Sequence, residues 1–317
     1  MDDEKGWDSY WKSRQHEQAL TVRTGVSDPL EQHWHAVFDE YLPSYISPQL
    51  LELACGNGTL ISMLSPNALA SMNAVGLDIS FHGIANLIQR QPQCQGVVAS
   101  ADALPFKPQS FELVVSQFGV EYAGSEALIQ ALSMLKNNGV MAALVHFQGS
   151  DIVKASAHAC AHLRQLAQQH ILSESKKALQ AALSLANAQI SEVEFREADK
   201  AFSPVVKALE SIIRACKHQD LGNKLKRLHG DIARIYQRPE RFNEKEVMQW
   251  LDTLTDDFVA YHKRMKALVD AALSPNQLRE LEQRIGAAGC TVIRYQPLVM
   301  EQFSFGWELV CQRVGKQ

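Results

Sequence analysis

The sequence has few cysteines, no long apolar run and no strong excess of either charge. Its six cysteines are scattered and no two form a CxxC pair, which argues against a zinc site and a disulfide framework. No window reaches the roughly 18 uninterrupted apolar residues that a membrane-spanning helix needs, so we expect no membrane span. The net charge of −4 provides no general attraction to nucleic acid or to an anionic membrane.

The first residues of the chain are acidic, and no apolar segment follows them. We therefore expect no signal peptide, and together with the unpaired cysteines this predicts a cytoplasmic protein. The 317 residues exceed a typical single domain, so one large core or two smaller cores are expected.

Residues 1–45 form a predicted N-terminal segment that is rich in aromatic side chains. Within it, Asp28 and Pro29 predict a helix that runs to Tyr41, with Asp28 as N-cap and Pro29 at the first helical position. We expect this segment to pack on, or over, the domain that follows.

From residue 48 onward, short apolar runs alternate with helical stretches. Strands are predicted over residues 50–54, 74–79, 96–100, 111–116 and 139–147, with helices from Thr59 to Leu64 and over 83–91 and 125–136. Continuous apolar runs between helices are typical of parallel strands that are covered on both faces. The pattern predicts a doubly wound α/β domain.

This alternation stops at Asp151 and resumes at Ser274, which begins a capped helix followed by strands over 291–295 and 305–313. Residues 151–273 show no convincing strand and predict about five helices. We therefore expect a seven-stranded, mostly parallel sheet over 46–150 and 274–317. A large all-α insertion over 151–273 follows its fifth strand.

The stretch Leu-Glu-Leu-Ala-Cys-Gly-Asn-Gly-Thr-Leu over residues 51–60 predicts a strand and a tight turn of small residues. Gly56 and Gly58 let the backbone turn sharply and approach a ligand closely. A helix beginning near Thr59 would direct its free N–H groups and the positive end of its dipole at the turn. The dinucleotide fingerprint fails here, because Ile61 stands where the third glycine would be.

Acidic residues stand near the ends of the first three predicted strands. The turn and these acids together resemble the class I S-adenosylmethionine-dependent methyltransferases. Their first motif, acid-x-G-x-G-x-G, is matched by Glu52, Ala54, Gly56 and Gly58, with alanine at the first glycine position. The resemblance covers roughly residues 45–150 and 274–313, and it implies a Rossmann-like methyltransferase fold with an antiparallel last strand.

The resemblance implies that S-adenosylmethionine binds at this turn and leaves as S-adenosylhomocysteine. Asp78, at the end of the second strand, matches the family's ribose-binding acid. Asp102 matches the residue that meets the adenine amino group, and Ala103 the adjacent backbone N–H. The residues that we assign to the cofactor are Glu52, Ala54, Cys55, Gly56, Asn57, Gly58, Asp78, Ile79, Asp102, Ala103, Gln117, Tyr10 and Trp11. Tyr10 and Trp11 fold over the cofactor in one interpretation and pack in the core in the other. No metal site is predicted.

The residues after the fourth strand favour a small-molecule acceptor. Family members that methylate adenine or glutamine resemble one another in an [Asp/Asn/Ser]-Pro-Pro-[Tyr/Phe] tetrapeptide there, and cytosine C5 enzymes carry a Pro-Cys loop. This chain has Ser-Gln-Phe-Gly over 116–119 and no Pro-Cys, so it resembles the small-molecule and quinone-type branch. A base is needed only if the acceptor loses a proton, and the candidates are Glu121, Tyr122 and His146. A helix cap for Glu121 and a structural role for His146 are the alternatives.

Three functional hypotheses stay open at this point. The first is in-line methyl transfer to a small molecule, with the helical insertion shaping the acceptor pocket. The second is methylation of RNA or protein through a basic cluster of net charge +5 over 214–241. Its basic residues are Arg214, Lys217, Lys224, Lys226, Arg227, Arg234, Arg238 and Arg241. The third is a non-catalytic scaffold that binds the cofactor. A homodimer through the insertion is also left open.

Overall fold

The computed structural model describes residues 2–13 and 28–315, and it divides the chain into two compact units. The first unit comprises Met1–Val153 and Asp270–Gln317, and the second comprises Lys154–Val269. Residues 14–27 of the predicted N-terminal segment lie outside the described residues. No helix in the described part of the chain has the length and apolarity needed to cross a membrane.

A seven-stranded sheet forms the centre of the first unit. Its strands are β1 (Gln49–Leu53), β2 (Asn73–Asp78), β3 (Gln95–Val98), β4 (Phe111–Gln117), β5 (Leu135–Val145), β6 (Cys290–Met300) and β7 (Phe303–Arg313). They are ordered β3-β2-β1-β4-β5-β7-β6, with β1 to β5 parallel and β7 antiparallel to both of its neighbours. This confirms the predicted doubly wound, mostly parallel sheet.

Eleven α-helices are present in the described residues. They are α1 (Asp2–Ser13), α2 (Pro29–Tyr41), α3 (Pro66–Ala70), α4 (Phe81–Arg90), α5 (Ser125–Ser133), α6 (Asp151–Gln168), α7 (Ile171–Ala186), α8 (Glu192–Ala215), α9 (Gln219–Gln237), α10 (Glu244–Ala271) and α11 (Pro275–Ala287). The predicted cap of α2 is present, because the Asp28 side chain accepts a hydrogen bond from the N–H of Leu30. Ser274 caps α11 in a reciprocal capping box with Gln277.

Alternate residues of each central strand bury their side chains on opposite faces of the sheet. Leu53 and Leu77 belong to an apolar cluster on one face, which also includes Leu128 of α5. Leu50 belongs to a cluster on the other face, together with Leu87 of α4. Coverage of both faces is what the continuous apolar runs in the sequence predicted.

The second unit is helical and has an apolar core of its own. The unit contains most of α6, the helices α7, α8 and α9, and nearly all of α10. Leu179, Leu221 and Leu251, from three different helices, are each buried in the same cluster. The bounds of the second unit, Lys154–Val269, fall inside the predicted insertion 151–273.

The helix expected from Thr59 to Leu64 is not an α-helix, and this prediction was wrong. A single 3-10 turn covers Ile61–Met63, and α3 begins only at Pro66. The physical reason is a new helix start at Ser65, whose hydroxyl accepts from the N–H of Ala68. Proline at the next position cannot continue a preceding helix but suits a first helical turn.

The boundary between α5 and β5 also differs from the prediction, which extended the helix to residue 136. Phe111 of β4 pairs with Leu135, so the chain enters the sheet before residue 136. The pairing then shifts register, and Leu113 pairs with Val140. Pairing between distant segments therefore ends the helix earlier than its own sequence indicates.

Candidate cofactor and acceptor site

The glycine turn lies at the carboxyl edge of the sheet, after β1, which has β2 on one side and β4 on the other. Open α/β sheets bind ligands at such a switch point. The φ angles there are positive, at 50° for Ala54, 53° for Gly56 and 77° for Gly58. Glycine adopts this region freely, whereas a side chain costs roughly 1–2 kcal/mol. Ala54, which replaces the family's first glycine, is therefore strained.

The buried side chain of Glu52 binds the backbone just after this turn. Its two carboxyl oxygens accept hydrogen bonds from the N–H groups of Leu60 (3.1 Å) and Ile61 (2.9 Å). Burial raises the pKa of Glu52 to about 8, although these two backbone bonds act in the opposite direction. The carboxyl group thus takes up the N–H groups that were expected to point freely at the turn.

Asp78 ties the end of β2 to the same turn. Its Oδ2 accepts from the N–H of Gly56 at 2.7 Å, and its Oδ1 accepts from the N–H of Ser80 at 2.8 Å. The side chain is only 6% exposed, and burial raises its pKa. Each carboxylate oxygen can accept a second hydrogen bond, so both oxygens retain capacity for the two hydroxyls of a ribose.

The other residues predicted next to the turn make local contacts. Cys55 is buried, and its thiol donates to the carbonyl of Gly56 at 3.6 Å. The Asn57 side chain accepts from the hydroxyl of Thr59, and Ile79 is half-buried. These side chains shape the turn and its immediate surroundings.

Three predicted residues lie in the loop after β3 and at the end of β4. Asp102 and Ala103 are both exposed, and the N–H of Ala103 donates to the carbonyl of Ser100 at 3.2 Å. Gln117, at the end of β4, accepts from the indole N–H of Trp34 at 2.6 Å. The structure therefore leaves the Asp102 carboxylate accessible to a ligand and uses the Gln117 oxygen to hold α2.

The helix α1 lies across the glycine turn. The indole of Trp11 packs against Gly56 so closely that a Cβ on this glycine would lie 2.1 Å from Cζ2 of the ring. The backbone carbonyl of Trp11 accepts from the Asn86 side chain of α4 at 3.3 Å. Tyr10 packs edge-on against Trp11, with ring centroids 5.0 Å apart. Bare backbone at Gly56 thus allows a flat ring to approach it.

Asp8 fastens α1 to the start of α4. One carboxylate oxygen accepts from the Ser80 hydroxyl and from the N–H of His82, each at 2.9 Å. The other lies 2.7 Å from Nδ1 of His82. Partial burial opposes the charge on Asp8, but the hydrogen bonds from His82 and Ser80 outweigh it and lower the pKa of this carboxyl.

Two of the predicted catalytic residues meet beside β4 and β5. Oε1 of Glu121 accepts from the backbone N–H of His146 at 2.9 Å. In the described part of the chain, Oε2 of Glu121 and Nδ1 of His146 are buried and have no hydrogen-bond partner. Burial raises the pKa of Glu121 to about 7 and lowers that of His146 to about 3. The pair therefore combines an ionisable carboxyl group with a neutral imidazole.

A series of aromatic rings packs against His146 and extends to α1. The ring of Phe118 stacks on His146 with centroids 4.4 Å apart and planes only 8° from parallel. Tyr122 meets His146 edge-on at 5.9 Å, and Trp7 of α1 meets Tyr122 edge-on at 5.1 Å. Phe118 has a φ of 51°, a strained value for a bulky side chain. Strain of this kind clusters at functional sites.

The sequence reasoning missed Trp7, Asp8 and Phe118. Trp7 stands three and four residues before Tyr10 and Trp11, so their helical spacing was a usable signal for one shared aromatic face. Asp8 pairs with residues more than seventy positions away, and nothing local marks it. The positive φ of Phe118 likewise has no signature in the residue type.

The basic residues of 214–241 are distributed along the end of α8, α9 and the turn that follows. Arg214 pairs with Glu210 at 3.7 Å, Arg234 pairs with Asp231, and Arg241 lies 4.0 Å from Glu240. These three cations therefore have acidic neighbours within the second unit.

Residues 50–139 match a family model described as a methyltransferase domain. An uncharacterised protein of Methanocaldococcus jannaschii is 34% identical over 93 residues, which are 29% of this chain and 34% of that protein. The matched part thus spans about a third of the length of this curated relative.

Comparison with solved structures finds partial similarity to methyltransferases. A Methanococcus maripaludis protein, provisionally assigned as S-adenosyl-L-methionine-dependent, matches 99% of this chain and 94% of its own at 10% identity and a TM-score of 0.42. CalS10, an amino pentose methyltransferase from Micromonospora echinaspora, matches 38% of this chain and 52% of its own at 16% identity and a TM-score of 0.33. By the family match over residues 50–139, this part of the chain is similar to a methyltransferase domain, and it contributes the central strands of the sheet.

Proposed function

We propose that this protein transfers the methyl group of S-adenosylmethionine to a small-molecule acceptor. The observation that carries the proposal is the turn at Gly56 and Gly58, which the buried carboxyl groups of Glu52 and Asp78 hold at the switch point of the sheet. The tight turn at Gly56 and Gly58 suits the methionine part of the donor, and Asp78 retains acceptor capacity for the ribose. The exposed Asp102 suits the adenine amino group.

The donor supplies an already activated methyl group when it is bound. The work left to the protein is to hold the acceptor in line and to exclude water, which can lower the barrier by about 7–11 kcal/mol. Glu121, Tyr122 and His146 lie after β4 and β5, at the same carboxyl edge as the turn. Of the three, Glu121 is the candidate proton acceptor, because its pKa of about 7 allows it to change charge near neutral pH.

The helical insertion is attached beside these residues. The N–H of Leu273, where the insertion ends, donates to the carbonyl of His146 at 2.9 Å. The insertion begins at Asp151, only five residues after His146. Our proposal is that the insertion shapes the acceptor pocket, and this position of its two ends supports it.

The cofactor proposal is tested by calorimetric titration with S-adenosylhomocysteine. The full chain should bind it, and the Gly56→Ala variant should bind at least tenfold more weakly, because a methyl group at this positive φ is strained and meets Trp11. Gly286→Ala on α11 is the matched control, since a Cβ there meets nothing within 4 Å. Folded wild-type protein that fails to bind would contradict the proposal.

The acceptor class is tested with labelled methyl donor and a cell extract separated into small molecules and macromolecules. Label should appear in the small-molecule fraction. Label in RNA or protein would instead support the basic cluster over 214–241 as a substrate-binding face. Tight binding of the donor without transfer to any fraction would support the non-catalytic scaffold.

A further inference from the structure

Ala54 in the glycine turn and Gly119 in the loop after β4 pack against each other. A Cβ on Gly119 would lie 2.6 Å from Cβ of Ala54 and 3.0 Å from the carbonyl oxygen of Ala54. Side-chain carbons essentially never approach other atoms more closely than 3.0 Å, so residue 119 has no room for a side chain while the methyl group of Ala54 is present. The two residues are therefore complementary in shape.

The methyl group of Ala54 is kept at a conformational cost. The φ angle of Ala54 is 50°, in the left-handed region that glycine adopts freely and alanine rarely adopts. The methyltransferase motif that this turn resembles has glycine at the same position. Backbone strain persists where the surrounding structure over-determines it, and it clusters at functional sites. The contact with Gly119 is one that glycine at residue 54 could not make.

Hydrogen bonds fix the backbone on both sides of this contact. The hydroxyl of Ser116 is fully buried, donates to the carbonyl of Leu53 at 2.9 Å and accepts from the N–H of Val120 at 3.2 Å. Leu53 directly precedes Ala54, and Val120 directly follows Gly119. The end of β1 and the loop after β4 are thus joined by one hydroxyl and by one methyl contact.

The backbone of Gly119 in turn sets the position of the residues next to it. The N–H of Tyr122 donates to the carbonyl of Gly119 at 3.1 Å, and Phe118 directly precedes Gly119. The N–H of Phe118 donates to the carbonyl of Leu144 on β5 at 2.8 Å. A shift of Gly119 towards the turn would therefore move Phe118 and Tyr122 as well.

We propose that Ala54 is a positioning residue, whose methyl group sets the separation between the turn that holds the methyl donor and the loop over residues 118–122. The proposal rests on the methyltransferase function and deepens it. Methyl transfer requires the acceptor to lie in line with the donor, and a displacement of about 1 Å can lower the rate by a factor on the order of 100. Glycine at residue 54 would remove the spacer and leave both segments free to approach each other.

The contact itself is tested by a double-mutant cycle on the full chain, with the melting temperature of the first unit measured by calorimetry. Gly119→Ala should lower that temperature by roughly 3–10 °C, because the new methyl group overpacks against Ala54. In the Ala54→Gly background, the same substitution should lower it by less than half as much. Equal losses in the two backgrounds would overturn the proposed pairing.

The positioning role is tested by Ala54→Gly, which relieves the positive φ and should keep the fold. This variant should bind S-adenosylhomocysteine within threefold of wild type, whereas transfer of labelled methyl to the small-molecule fraction at saturating donor should fall at least fivefold. The double variant Ala54→Gly/Gly119→Ala supplies a methyl group from the opposite side and should recover at least half of the lost rate. An undiminished rate in Ala54→Gly would overturn the role.

Gln109→Gly is the matched control. Gln109 has a φ of 60° and is exposed just before β4, at the opposite edge of the sheet from the glycine turn. The substitution relieves the same kind of strain and should leave the transfer rate within twofold of wild type. Failure of wild-type protein to bind S-adenosylhomocysteine would count against the methyltransferase function, while the calorimetric cycle would still report on the contact between residues 54 and 119.

Discussion

Glu121 places a carboxyl group where the protein interior cannot fully solvate its charge. One oxygen is used by the N–H of His146, and the other has no partner in the described residues. A buried carboxyl oxygen without a partner lowers stability, and functional sites often trade stability for activity in this way. The stability and the activity of a variant at this position should therefore change in opposite directions.

Glu121→Gln should stabilise the protein at alkaline pH. Burial raises the pKa of Glu121 to about 7 from its ordinary value of 4.5. The contribution of this group is therefore complete below pH 4.5 and is lost as the pH rises through 7, at a cost on the order of 3 kcal/mol. The uncharged amide avoids this loss.

Urea unfolding at pH 5 and pH 8 measures this effect. The stability of Glu121→Gln relative to wild type should be greater at pH 8 than at pH 5. An unchanged difference between the two pH values would show that the carboxyl does not titrate in this range. Glu52, whose pKa is also raised, is present in both proteins and cancels from the comparison.

At the scale of elements, α1 acts as a wall over the candidate site. Trp7 contacts Tyr122 after β4, Trp11 covers Gly56 after β1, and Asp8 bonds to the start of α4. One short helix therefore touches three loops at the carboxyl edge of the sheet. Asp8 makes three of the polar contacts that attach α1.

Asp8→Ala should loosen α1 without unfolding the sheet. The variant removes the acceptors for the Ser80 hydroxyl and for two donors of His82. Amide hydrogen exchange over residues 2–13 should rise at least tenfold, while exchange in β1 and β4 should not change. Glu31→Ala, on the exposed first turn of α2, is the control. Unchanged exchange in α1 would show that the aromatic contacts alone hold it.

The attachment of α1 should also depend on pH in a defined direction. Hydrogen bonds from His82 and Ser80 outweigh the opposing effect of burial and lower the pKa of Asp8 below its ordinary value of 3.8. The stabilisation from this carboxylate is therefore present above pH 3.8 and is lost as the pH falls through the lowered value. The same exchange measurement, made at acidic pH, reports this loss.

At the scale of the whole molecule, the two units have separate apolar cores. Leu179, Leu221 and Leu251 form part of the core of the second unit, and the sheet has its own clusters on both faces. The insertion begins and ends next to β5, where Phe147 forms a β-bridge with Leu273. The sheet and the glycine turn therefore do not depend on the insertion for their cores.

Replacement of Lys154–Val269 by a flexible glycine–serine linker should leave a folded protein. This variant should bind S-adenosylhomocysteine within about threefold of wild type, because Gly56, Asp78 and Asp102 all belong to the first unit. Methyl transfer to the small-molecule fraction should be lost, since we propose that the insertion shapes the acceptor pocket. Full activity of the shortened chain would contradict that role.

Much of the fold was predictable because its signals are local. The apolar runs of β1, β2 and β4, and the capping residues Asp28 and Ser274, each occupy a few consecutive positions. The helix expected at Thr59 failed because Ser65 and Pro66 start a new helix nearby. The early end of α5 was missed since it depends on pairing with β4, which the local sequence does not contain.

The sequence by itself determined the order of the strands, the position of the glycine turn, and the acids within β1, at the end of β2 and after β3. Only the tertiary structure decided that Asp78 bonds to Gly56, that Asp8 fastens α1 to α4, and that Glu121 meets His146. The physical reason is that strands and turns form from neighbouring residues, whereas these contacts require sheet register to bring distant side chains within hydrogen-bond distance.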